Sequence, residues 1–117
     1  MPYHQLAVYK KAYELALAVH KRTLKYPKIE QYELANQLRR SSKSIPVNIA
    51  EGMGKQASRA DVSKYILIAL GSCDETGVWL EFSKDLGYLS EDEYKQLALG
   101  YQEVGKMLQG LRKRYQT

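Results

Sequence analysis

Seven residues near the C-terminus, Tyr94, Leu97, Tyr101, Val104, Leu108, Leu111 and Tyr115, are spaced alternately three and four apart over three heptads. This spacing keeps all of them on one stripe of an α-helix, whereas a strand would scatter them over both faces. A helix with so narrow a seam packs on its neighbours at a shallow left-handed angle, as in bundles and coiled coils. The helix is predicted over residues 91–115, because Ser90-Glu91-Asp92-Glu93 reads as a capping box in which Glu93 reaches back to the serine.

Three further helical segments precede it. The first runs from His4 to Lys25 and stops before Pro27, with Val8, Ala12, Leu15 and Val19 on one face and Leu6, Tyr9, Tyr13 and Ala16 beside them. The second runs from Glu30 to Lys55 around Leu34, Leu38, Ile45 and Ile49. Pro46 within it removes a backbone donor, so a kink is expected between Ser42 and Pro46. The third opens at Ser58, an N-cap followed by the first-turn acid Asp61, and closes at Gly87, a left-handed C-cap. No stretch alternates like a strand. The links (around Pro27-Lys28, Gln56-Ala57, and Gly87 to Leu89) are short, which favours antiparallel neighbours. The expected fold is all-α, an up-down-up-down four-helix bundle in one domain spanning residues 1–117.

Composition narrows the function. Apolar residues make up 44% and charged residues 26%, which is globular rather than disordered. One cysteine, Cys73, excludes an internal disulfide, and His4 and His20 have no ligand-spaced partners, so no metal or other cofactor is expected. No apolar run reaches the roughly 18 residues of a membrane span, and no signal-peptide core is evident, so a soluble cytoplasmic protein is expected. The sequence has no nucleophile elbow, phosphate loop or dinucleotide fingerprint. Ser72, Cys73, Asp74 and Glu75 are adjacent but point in different directions on a helix. An enzyme is not expected.

The run from Tyr65 to Cys73 carries no charge, although a helix of a small monomeric bundle buries only one stripe. Gly71 within it and Gly77 just beyond it are each about 1 kcal/mol worse than Ala in a helix interior, a composition suited to close helix approach. Self-association accounts for both features; a central helix of a monomer is the competing reading. Ten tyrosines against one Phe and one Trp fit half-buried rims and interfaces, and stacking on bases is the sharper alternative.

The net charge of +5 is unevenly placed. Residues 1–60 carry eleven Lys or Arg against four acids, and residues 61–117 carry seven against nine. Arg39, Arg40 and Lys43, then Lys55 and Arg59, form the candidate nucleic-acid-binding set. Ser44 and Asn48 lie close enough to donate to phosphate oxygens. A solvated helix face with local ion pairs, to Glu33 or Glu51, is the competing reading.

Gln37-Leu38-Arg39-Arg40 and Ser44-Ile45-Pro46-Val47-Asn48-Ile49-Ala50-Glu51-Gly52 resemble the signature of the bacterial four-helix-bundle proteins, also called ribosomal RNA intervening-sequence proteins. The similarity continues through Ile68 to Ser72, Glu75, Leu80 and Leu86 to Leu89, nearly the whole chain, while Thr76-Gly77-Val78 departs from the family's Leu-Glu-Thr. The resemblance implies an antiparallel bundle assembling into a homopentameric barrel with a central channel. The family includes accessory variability determinant proteins of diversity-generating retroelements, which bind nucleic acid and a reverse transcriptase. Within that picture Ser44, Pro46, Asn48, Glu51 and Gly52 form a structural motif, with Asn48 and Glu51 bonding backbone groups or arginines across a helix or subunit boundary. The reading is a homo-oligomer that binds RNA or DNA and scaffolds a partner protein; the alternative is a structural or protein-interaction module.

Overall fold

Two serines set the helix starts in the second half of the chain. The Ser58 hydroxyl accepts from the Asp61 amide at 3.1 Å, and the Ser90 hydroxyl accepts from the Glu93 amide at 3.1 Å. The Glu93 carboxylate in turn accepts from the Ser90 amide at 2.9 Å, which closes the capping box. Between these helices Gly87 adopts φ +84°, a conformation any side chain would resist. That geometry lets Tyr88 N–H reach the Ser83 carbonyl and Gly87 N–H the Lys84 carbonyl, a complete Schellman stop.

A computed structural model describes residues 2–55 and 58–116. Its helices are α1 (Ala7–Thr23), α2 (Leu34–Lys55), α3 (Arg59–Asp85) and α4 (Glu91–Arg114), with no strand among the described residues. The link expected at Gln56-Ala57 lies outside the described residues. Contacts run in opposite directions along each neighbouring pair. His20 meets Lys43 and Thr23 meets Arg39; Ser41 meets Thr76 and Ser44 meets Ser72; Lys11 meets Glu103 and Arg22 meets Glu93. The bundle is therefore antiparallel. α1 packs on α2 and α4, and α3 packs on the same two, so α1 and α3 stand at opposite corners of a 44 × 24 × 21 Å rod.

The core follows the periodicity. Val8, Ala12 and Val19 of α1 share one buried core cluster with Leu38, Ile45 and Ile49 of α2 and with Tyr101, Val104, Leu108 and Leu111 of the α4 seam. Two expected boundaries move. Tyr3–Gln5 is a single 3₁₀ turn set off from α1 by extended Leu6. Lys28–Tyr32 is a second 3₁₀ turn, and α2 begins only at Leu34 because Glu33, at φ −118° and ψ −102°, leaves helical space. The Gln31 amide explains the second turn: it donates to the carbonyls of Thr23 and Tyr26, both at 2.9 Å, supplying donors that the end of α1 lacks. At Pro46, α2 continues helical without interruption.

Candidate functional site

The signature segment of α2 is built for pairing with α3. The hydroxyls of Ser44 and Ser72 lie 2.8 Å apart, and the Asn48 amide donates to the Ser44 carbonyl at 2.8 Å and to its hydroxyl at 3.0 Å. One turn away Thr76 donates from the same hydroxyl toward Ser41 at 2.9 Å or the Ser72 carbonyl at 2.8 Å. Gly52 has a steric reason: a Cβ there would sit 2.8 Å from Tyr65 Cβ. Asn48 bonds within its own helix rather than across a boundary. Glu51 is exposed in the single chain. Pro46 is buried and lines the outer groove described below.

The five candidate basic residues do not form one patch. Arg39 is half-buried, and its guanidinium donates to the Thr23 hydroxyl (3.1 Å), the Gln31 side-chain carbonyl (3.2 Å) and the Gln31 backbone carbonyl (2.9 Å). It stitches the α1–α2 corner together. Arg59 donates to the Arg114 carbonyl and stacks 5.5 Å above the Tyr115 ring, latching the start of α3 to the end of α4. Lys55 ends α2, and its side chain lies outside the described residues. Fifteen residues of helix, about 22 Å, separate Lys55 from Arg40, so the expected cluster divides between the two ends of the bundle.

What remains at the other end is a different grouping. Arg40 and Lys43 are exposed one turn apart on α2, and Lys21, Lys25 and Lys28 are exposed where α1 hands over to it. Lys43 donates to His20 Nδ1 at 2.9 Å. The neighbouring ammonium, then partial burial, then Arg39 hold the His20 imidazole below its ordinary pKa. Of the acids on this end, Glu30 is taken up by the Tyr88 hydroxyl at 2.8 Å. Charge counting by halves indicated a basic first half; only the antiparallel register puts these particular cations together.

One polar node was not evident from the sequence. Arg22 donates to both Glu93 oxygens, at 2.7 and 3.1 Å, and to the Tyr88 carbonyl at 2.9 Å. The Arg22 hydrogen bond and the Ser90 amide hold the Glu93 carboxyl far below the usual range, at about 2. The node fixes α1 to the start of α4. Cys73 is buried, donates to the Tyr101 carbonyl at 3.3 Å, and has its thiol pushed up to about 11, mainly by burial. At neutral pH it is a protonated packing group rather than a nucleophile.

Beside the basic end, α1 and α2 enclose an open groove of about 810 Å³ walled by Tyr9, Tyr13 and Leu17 on one side and Pro46 and Val47 on the other, with His20 and Lys43 at one end. Tyr3, Tyr9 and Tyr13 form a chain of ring contacts at 5.0 and 5.9 Å. No group of three or more His, Cys, Asp or Glu among the described residues is placed to hold a metal. No helix of the described residues is long and apolar enough to cross a membrane.

The family of 23S rRNA-intervening sequence proteins matches residues 4–110 of this chain. The chain belongs to that family. A crystal structure of a protein of unknown function from the S23 ribosomal protein family of Bacteroides thetaiotaomicron is similar to it, with a TM-score of 0.85 and 28% identity. The match covers 97% of this chain and 99% of that one. No curated protein matches. The intervening-sequence signature read in the sequence is thus the α2–α3 seam: its hydroxyls, amide and glycine are consumed in packing.

Proposed function

We propose that this intervening-sequence protein is a non-enzymatic cytoplasmic homo-oligomer, a pentamer as the family resemblance implies, that binds the backbone of RNA or DNA and brings a partner protein such as a nucleic-acid enzyme to it. The observation that carries this reading is the exposed group Lys21, Lys25, Lys28, Arg40 and Lys43 at one end of the bundle. Flexible cations on helix ends suit phosphate contacts, which position a protein on a duplex without reading its sequence. Repeating the group in every copy of an oligomer multiplies the attraction.

The test is fluorescence anisotropy with a structured RNA and a DNA duplex, titrated across salt. The wild type is expected to lose affinity steeply with salt. Lys21→Ala/Lys25→Ala/Arg40→Ala should have a log–log slope on duplex DNA shallower by about 2.7, at roughly 0.9 per lost phosphate contact. Arg59→Ala, at the far end and engaged with α4, should leave the slope unchanged. No binding by the wild type at low salt would overturn the reading. That outcome would leave the alternative, a structural or protein-interaction module, which the internal use of Arg22, Arg39 and Arg59 favours.

A further inference from the structure

The bond between Lys43 and His20 fixes the charge of both. An ammonium only donates, so His20 Nδ1, 2.9 Å from Lys43 Nζ, is the acceptor, and the ring is the neutral tautomer with its proton on Nε2. An imidazolium carries a proton on each nitrogen and accepts nothing. Protonating His20 therefore breaks this bond and sets two like charges side by side. Lys43 is exposed, and its flexible stem lets the ammonium swing away, with all three donors released.

The ring's other neighbours leave this pair in charge of its state. From α2 it also feels Arg39, whose guanidinium is held by Thr23 and Gln31. On α1 the next residue is the exposed Lys21. Tyr3, Tyr9 and Tyr13 share the groove lining with it, as does Glu51, which stands eight residues, about 12 Å, along α2 from Lys43. In the Lys28–Tyr32 turn Lys28 is exposed and Glu30 accepts from Tyr88, and Glu33 is exposed just after it. α4 also packs on α1, but its acids there, Glu93 and Glu103, are engaged by Arg22 and Lys11.

We propose that His20 and Lys43 are a proton-linked latch in the phosphate-binding end: a backbone phosphate of the bound nucleic acid draws the Lys43 ammonium off the ring, and His20 takes up a proton from solvent. The inference rests on the nucleic-acid reading above and names the regulation of that same site. In the free chain the Lys43 charge is the first cause keeping the ring neutral. A phosphate beside Lys43 cancels that field and adds its own attraction for an imidazolium. Coupling is reciprocal, so a protonated ring strengthens phosphate binding by the factor by which phosphate strengthens protonation. Affinity therefore rises as pH falls through the bound-state pKa of the ring and levels off below the free-state one. His20 is a positioning residue here, acting through Lys43.

Anisotropy with a short DNA duplex, whose base pairs do not titrate in this range, measures the linkage at fixed ionic strength. From about pH 7.5 to about pH 5.5 the wild type should bind roughly fivefold more tightly or better, as a rise of about one unit in the His20 pKa on binding requires. His20→Gln, which keeps an acceptor for Lys43 but cannot be charged, should lose that response. His4→Gln removes the chain's other histidine and should keep it. NMR titration of the wild type reads the same coupling without a variant: saturating duplex should raise the His20 pKa and leave that of His4 in place. Binding that ignores pH, an undiminished response in His20→Gln, or a His20 pKa unmoved by duplex overturns the latch and leaves nucleic-acid binding standing. A wild type that binds at neither pH in low salt overturns both.

Discussion

Single residues divide into those whose chemistry the fold consumes and those it leaves available, and the glycines make the division measurable. A Cβ added at Gly52 would lie 2.8 Å from the Cβ of Tyr65, an atom that moves only with its backbone, so Gly52→Ala forces α2 and α3 apart. A loss of about 1–3 kcal/mol is expected, as for overpacked cores. Gly77→Ala, with nothing within 4 Å of the added methyl, should instead gain up to about 1 kcal/mol; thermal melts of the two variants give the comparison. His20 belongs to the second class. Its folded pKa lies below the ordinary 6.5, with Lys43 the main cause, so just below pH 6.5 the unfolded chain binds more protons than the folded one. Stability should fall as pH drops through that window. Lys43→Met should raise the His20 pKa in an NMR titration and flatten the loss, and an unmoved pKa would mean the ammonium is not what governs the ring.

At the scale of elements, what the sequence disclosed is what depends on neighbours within one helix: the α4 seam, the Ser58 and Ser90 caps, the Gly87 stop. What it concealed depends on partners far along the chain. Arg39 reads as a surface cation until the turn at Lys28–Tyr32 brings Gln31 to it, and neither residue alone signals that meeting. Arg39→Ala should therefore cost about 2–3 kcal/mol in a denaturant titration, within the range for hydrogen bonds to a charged group, whereas Arg40→Ala should leave stability unchanged. Glu93 was legible as a cap but not as the partner of Arg22. Glu93→Gln separates the roles, because Gln still completes a capping box while losing the charge. Both side chains are part-exposed, so the cost should be at most about 1 kcal/mol at neutral pH. The wild type loses this contribution as pH falls from the ordinary carboxylate value of 4.5 toward about 2, and the variant should lack that acid-dependent component of its melting curve.

At the scale of the whole molecule, the basic end and the α1/α2 groove are neighbours on the same two helices, with Lys43 at their border. In the homo-oligomer proposed above, Lys21, Lys25, Lys28 and Arg40 are repeated from copy to copy. Phosphate contacts by one copy are weak and salt-sensitive, and linked copies gain through effective concentration, by up to about 10²–10⁴ when the geometry lets them bind together. A variant that sediments as a single chain and keeps all of these cations should bind a long RNA at least about tenfold more weakly than the wild type. It should also show a shallower salt dependence, because fewer phosphates are engaged per complex. Anisotropy on a long RNA and on a short one contacting a single copy makes the comparison internal. The variant should match the wild type on the short RNA and fall behind on the long one. Equal binding on both would mean that each bundle meets the polyanion alone and that assembly serves the partner protein instead.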